Sequence, residues 1–208
     1  MQPITAVVLF FFLFITVGKA QIQHQIGFEA GVSLNKINYS VAPDARFVQA
    51  PDLSSEFSPG LMATLKYDLI LLKQLHIGLG LGLEEKRSSN EEVETTNLLL
   101  PLEVGYRSPL IGKMYLTGDL LFMPHLVVRN LRTFYDTNQE VFHVSEPHRP
   151  LNIQLGIKAG AGWALTDRLA LQINLLGKID GFKYAPKDAV VHERSWGIQL
   201  NAGLRWTL

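Results

Sequence analysis

Three sets of residues in this 208-residue chain have types and spacings that invite chemistry. The first is histidine beside carboxylate: His143 and His148 flank Glu146, and His192 precedes Glu193. Neutral imidazole and carboxylate are ordinary metal ligands. The spacing follows no zinc pattern, however, and these residues read as solvated loop positions. The second set is hydrolytic: His125 with Ser145 and Glu146. Nucleophilic catalysis requires a base within hydrogen-bond reach of the hydroxyl. No motif here fixes that geometry, so the chain reads as a non-enzyme. The third set is glycine. Gly78-Leu79-Gly80-Leu81-Gly82 lacks the spacing of a dinucleotide loop, and no strand-to-helix turn follows it. Gly156 and Gly160 have the helix-packing interval, but that motif belongs to an apolar helix, and Lys158 lies between them. No cofactor or metal is expected.

What does recur is charge on one parity. Glu29, Lys66, Asp68, Glu84, Glu103, Arg107, Asp119, Lys158, Lys178 and Arg205 each fall in a stretch whose alternate residues are apolar. Successive side chains of a strand point to opposite faces, so such stretches are strands with one oily face. The last is the clearest. In Ser195–Leu208, Trp196, Ile198, Leu200, Ala202, Leu204, Trp206 and Leu208 oppose Gly197, Gln199, Asn201, Gly203 and Arg205. Seven similar segments precede it: 26–34, 60–69, 75–84, 97–107, 114–127, 153–165 and 169–179. The fifth is the least regular, with Leu116, Leu120, Phe122 and Leu126 as its oily side. The segments run to about the 9–11 residues that a tilted membrane strand needs.

The links alternate strictly between short (70–74, 108–113, 166–167) and long and polar (40–57, 85–96, 129–150, 181–194). Outer-membrane barrels pair tight periplasmic turns with long external loops in this way. The expectation is an all-β protein: a closed, eight-stranded, antiparallel up-and-down transmembrane β-barrel. Both mature termini would lie in the periplasm. Closure follows because an open sheet edge in hydrocarbon would leave backbone groups unpaired. Alternation alone fits an apolar-lined soluble barrel equally. The polar parity, rich in Gly, Asn, Gln, Ser and Thr, favours a hydrophilic bore with the oily face outward. Tyr67, Tyr106, Trp163 and Trp206 near one rim, and Trp196, Phe182 and Tyr184 near the other, fit two interfacial girdles.

Composition agrees. Lys and Arg balance Asp and Glu at 19 each, leaving no basic surplus for a nucleic-acid partner. Cysteine is absent, which excludes disulfides, thiolate sites and a lipoprotein anchor. Residues 6–17 are an apolar run interrupted by Thr16 alone, leading into Val17-Gly18-Lys19-Ala20. A short apolar core before small residues reads as a cleaved export signal over 1–20. Residues 21–208 then form the barrel domain in the cell outer membrane.

The chain resembles the small outer-membrane β-barrel family of the Bacteroidota, the PorT-like group. The resemblance rests on Asn97-Leu98-Leu99-Leu100-Pro101-Leu102-Glu103-Val104, on the Gly-rich stretch 156–163 leading through Thr166-Asp167-Arg168-Leu169, and on the closing Gly203-Leu204-Arg205-Trp206. It implies a signal peptide and an eight-stranded outer-membrane barrel, with some members linked to protein secretion. Barrel assembly machinery commonly reads a C-terminal aromatic. Here Leu208 is last, and Trp206 lies two back on the same face.

Two functional readings follow. One is a structural or interaction protein serving an envelope or secretion assembly, its bore filled by paired charges. The other is a narrow channel or small-ligand transporter. An eight-stranded barrel is only just wide enough for its side chains, which favours the first. Arg107 and Arg205 are the expected cation partners of Glu29 and Glu103. Partners are outer-membrane lipid, lipopolysaccharide and the barrel assembly machinery. Arg129, Arg132, Phe134 and Tyr135, in the longest link, could contact a partner or anionic lipopolysaccharide. The favoured reading is a hairpin extending strands five and six beyond the membrane.

Overall fold

The computed structural model describes residues 22–41, 57–87, 93–135, 141–145, 151–183 and 191–208. The proposed signal 1–20 lies outside them. The described residues form ten strand segments: β1 (Ile22–Val41), β2 (Ser58–Leu71), β3 (Leu75–Arg87), β4 (Val93–Leu99), β5 (Leu102–Pro109), β6 (Met114–Tyr135), β7 (Val141–Ser145), β8 (Leu151–Ala164), β9 (Leu169–Lys183) and β10 (Val191–Thr207). They make eight staves. β4 and β5 share one stave, since both pair with β3 and β6. β7 continues the stave of β8, both lying against β6. β1 pairs with β10 on one side and β2 on the other, so the sheet closes, with every neighbour antiparallel.

The break between β4 and β5 falls at Leu100-Pro101, where Pro101 has no N–H for the ladder. The wall stays bonded nonetheless: Gly80 N–H donates to the Pro101 carbonyl (2.8 Å) and Leu100 N–H to that of Pro124 (2.9 Å).

The register fixes the shape. Following paired residues around from Ile26 through Tyr67, Leu79, Leu102, Phe122, Leu155, Ile179 and Trp196 returns to β1 at Lys36, ten residues further along. A stagger of that size over eight strands spaced ~4.8 Å apart tilts them by about 40°, the usual range for a closed barrel.

The short links, 72–74, 110–113 and 165–168, gather at one end with Ile22 and Leu208. At the other end the strands run further than the oily alternation implies. β1 continues to Val41, β6 to Tyr135 and β9 to Lys183, and β10 begins at Val191. Parts of the long links are therefore strand. Neither face of such an extension need be oily, so period-two hydropathy does not mark it. Residues 131–135 pair with 141–145, so the backbone of Arg132, Phe134 and Tyr135 belongs to a hairpin.

One turn is strained. Leu72 and Lys73 both adopt positive φ, 54° and 64°, closed by Gln74 N–H to the Leu71 carbonyl at 3.1 Å. Positive φ at two successive turn residues normally selects Asn-Gly, and each non-glycine residue there costs ~1–2 kcal/mol.

Candidate functional site

The molecule is inside out relative to a water-soluble protein. Ile157 is 68% exposed while neighbouring Lys158 is 1% exposed. The same inversion repeats along β1, β2, β3 and β10, where Val32, Leu65, Leu81 and Leu200 face outward and Ser33, Lys66, Gly82 and Gln199 face the bore. An exterior of leucine and isoleucine has no cost in hydrocarbon, whereas buried charges must find partners. Tyr67, Tyr106, Trp163 and Trp206 are exposed toward the short-turn end. Trp196 is exposed toward the other, its ring edge-on to Phe57 at 4.8 Å.

Register and tilt order the bore into levels. Toward the short-turn end lies a cluster of charges: Glu29 on β1, Lys66 and Asp68 on β2, Glu103 on β5, Asp119 on β6, Lys158 on β8 and Arg205 on β10. Lys66 bridges Glu29 (2.9 Å) and Glu103. Lys158 bridges Glu103 (2.5 Å) and Asp119 (3.0 Å). Arg205 pairs with Glu29 and Asp68. Asn174 donates to Glu29 (3.0 Å), and Gln172 accepts from Arg205 Nε (3.0 Å). His76 Nε2 sits 3.0 Å from Asp119 Oδ1. Glycines make the room: a Cβ on Gly105 would meet Asp119 Oδ1 and His76 Cε1.

Above this cluster the bore turns apolar. Leu99, Leu121, Met123 and Leu176 point inward from β4, β6 and β9, with Met62 opposite on β2. Leu121, Met123 and Leu176 pack together. Gln199 at this level is fully buried and donates to Asn201 (2.7 Å) and Met62 Sδ (2.9 Å). Beyond the belt is a second polar cluster. Glu84 pairs with Lys178 and lies 3.7 Å from Lys86. Lys178 donates to Gln199 (3.3 Å) and Lys86 to Ser195 (2.9 Å). Asp180 accepts from the Ser195 N–H (2.7 Å) and hydroxyl (2.8 Å).

Of the residues expected to face the bore, all but Arg107 are buried within these two clusters. Arg107 is half-buried at the short-turn end, its Cζ 3.5 Å above the Tyr115 ring. It is not the partner of Glu29 or Glu103, a correction to the expectation. It lies four residues along the same strand from Glu103, about 13 Å away. The cross-strand Lys66 and Lys158 reach that carboxylate instead. The Tyr115 ring in turn occupies the space a Cβ on Gly162 would need.

The belt is what sequence reasoning missed. Its signal is an apolar residue on the polar parity, at Met62, Leu99, Leu121, Met123 and Leu176, and it accounts for the irregular alternation of the fifth segment.

Of the catalytic and metal candidates, only His125 has a described side chain. His125 is buried in the bore. Glu146 and His148 lie outside the described residues, as do the side chains of His143, Ser145, His192, Glu193, Arg132, Phe134 and Tyr135. Arg129 is exposed at the upper rim, 3.5 Å from Glu94. Ligand atoms of His76, Glu103 and Asp119 lie within 4.8 Å of one another. The carboxylates already face the ammonium groups of Lys66 and Lys158, so the arrangement is that of an ion-pair network.

A scan against protein-family models matches none, and no curated protein matches in sequence. Solved structures do match. Neisserial surface protein A is 14% identical, with 87% of this chain and 96% of that one covered and a TM-score of 0.55. The N-terminal β-barrel domain of Pseudomonas aeruginosa OprF is 12% identical over 90% of this chain and all of that one, at 0.44. The outer membrane protein AlkL is 11% identical over 88% and 90%, at 0.44. At these identities the likeness concerns fold: the chain is a closed eight-stranded antiparallel barrel of the kind seen in Neisserial surface protein A.

Proposed function

We propose that this chain is an outer-membrane β-barrel protein, with a cleaved signal over residues 1–20 and a barrel domain over 21–208, whose role is structural or partner-binding. It serves an envelope or secretion assembly, a reading to which the PorT-like resemblance lends support. The observation that carries it is the sealed bore: two ion-paired clusters with an apolar belt between them, and Leu99, Leu176 and Gln199 at 1% exposure or less. A solute would have to break several buried pairs and cross the belt. The oily exterior supports a bilayer around the barrel. The gathering of short turns and described termini at one end supports their placement in the periplasm. Contacts with lipopolysaccharide and the assembly machinery belong to this same reading.

Planar-bilayer recording of the refolded protein tests it. The expected result is silence, and reproducible conductance steps would replace this reading with the channel. Crosslinking in native membranes then looks for the partner. A specific envelope protein recovered in fixed ratio is expected, and recovery of the barrel alone would contradict the interaction role.

A further inference from the structure

We propose that the short-turn end of the barrel is a binding site for a small water-soluble organic molecule carrying two or more anionic groups. This end opens into a cup of about 890 Å³, with Gln25, Arg107, Tyr115 and Ala170 deepest and the three short turns as its wall. Ligand sites commonly enclose roughly 300–1,000 Å³, far more than one inorganic ion fills. Four cations line it: Arg107 in the depth, and Lys73, Lys113 and Arg168 on three different turns. Asp167 is the one carboxylate side chain in the lining.

Among the described residues, none of these four side chains forms an ion pair. The guanidinium of Arg107 lies over the Tyr115 ring, which leaves its donor fork for a carboxylate or phosphate. Every cation deeper in the bore is already neutralised by a carboxylate. Cations on separate turns around a common cavity suit a ligand with several anionic groups. Ile22, Leu72, Met114 and Leu169 between them offer apolar contact to its carbon body.

The strained turn is a second, independent sign. Asn-Gly would close the β2–β3 hairpin without strain, yet Leu72 and Lys73 hold positive φ and place an apolar and a cationic side chain on the cup wall. Backbone strain of this kind concentrates at ligand sites. Bulk anionic lipid would also attract basic turns, but it does not require a recess with a cation at its base. The inference holds whichever side of the membrane this end faces.

Calorimetric titration of the purified protein in neutral detergent micelles tests it, with citrate and pyrophosphate as probes and inorganic phosphate as the single-group control. A parallel titration uses phosphatidylcholine vesicles containing phosphatidylglycerol. Both barrel ends are open to solvent in micelles, so failure here leaves the proposed membrane placement untouched. The expected result is saturable one-site binding of citrate or pyrophosphate, at least tenfold tighter than phosphate. Lys113→Gln with Arg168→Gln, and separately Arg107→Gln, should weaken it at least tenfold. The exposed double variant should keep the heat-modifiable gel migration of a folded barrel. No saturable binding of either probe, unchanged affinity in the variants, parity with phosphate, or binding to the vesicles alone would overturn the proposal.

Discussion

The charges in the middle of the bore and those at its short-turn mouth follow opposite plans. In the bore Lys66, Lys158, Lys178 and Arg205 are matched to carboxylates on other strands, and Glu29, Glu84 and Asn174 are fully buried. At the mouth, Lys73, Lys113 and Arg168 stand exposed on separate turns, and Arg107 rests on an aromatic ring. The difference follows from the cost of burial. A charge inside the cylinder must be paired or the fold fails, so bore charges are committed to the barrel itself. A charge at a wet rim needs no partner, and is free for something outside the chain.

The most damaging break in this contrast is on the bore side. Glu103→Gln leaves Lys66 and Lys158 short of their shared carboxylate. Removing one partner of a buried ion pair costs about 3–5 kcal/mol, and urea unfolding in lipid vesicles should show a loss of that size. Next comes the outer wall. Ile157→Lys places a charge on the lipid face near mid-height and should cost ~2–4 kcal/mol, whereas a lysine at Leu165, in the β8–β9 turn, should cost ~1 kcal/mol or less. The smallest effect has the opposite sign. Leu72→Asn with Lys73→Gly relieves the strained turn and should stabilise the barrel by about 1 kcal/mol or more. The same double change removes a cation and an apolar contact from the cup, so probe binding should weaken as stability rises.

Much of this architecture is legible in the chain. Alternation gave the staves, the link lengths gave the ends, and parity gave the bore-facing residues. Two features were less accessible. Pairing between charges depends on the ten-residue stagger, which brings Lys66 and Lys158 to Glu103 while Arg107 remains out of reach. The strands also outrun their oily segments, because above the bilayer neither face has to be apolar. The belt lay between these cases. Met62, Leu99, Leu121, Met123 and Leu176 break the polar parity one residue at a time, and only the register shows that they meet at one level.

The central claim is the polarity of the wall: oily side chains outward, charges sealed within. The chain has no cysteine, so single nitroxide labels can be placed cleanly at Ile157 and Leu200 in vesicle-embedded protein. Collision with dissolved oxygen and shielding from a water-soluble nickel chelate are the predicted results at both sites. Free access of the chelate, with little oxygen contact, would contradict the account.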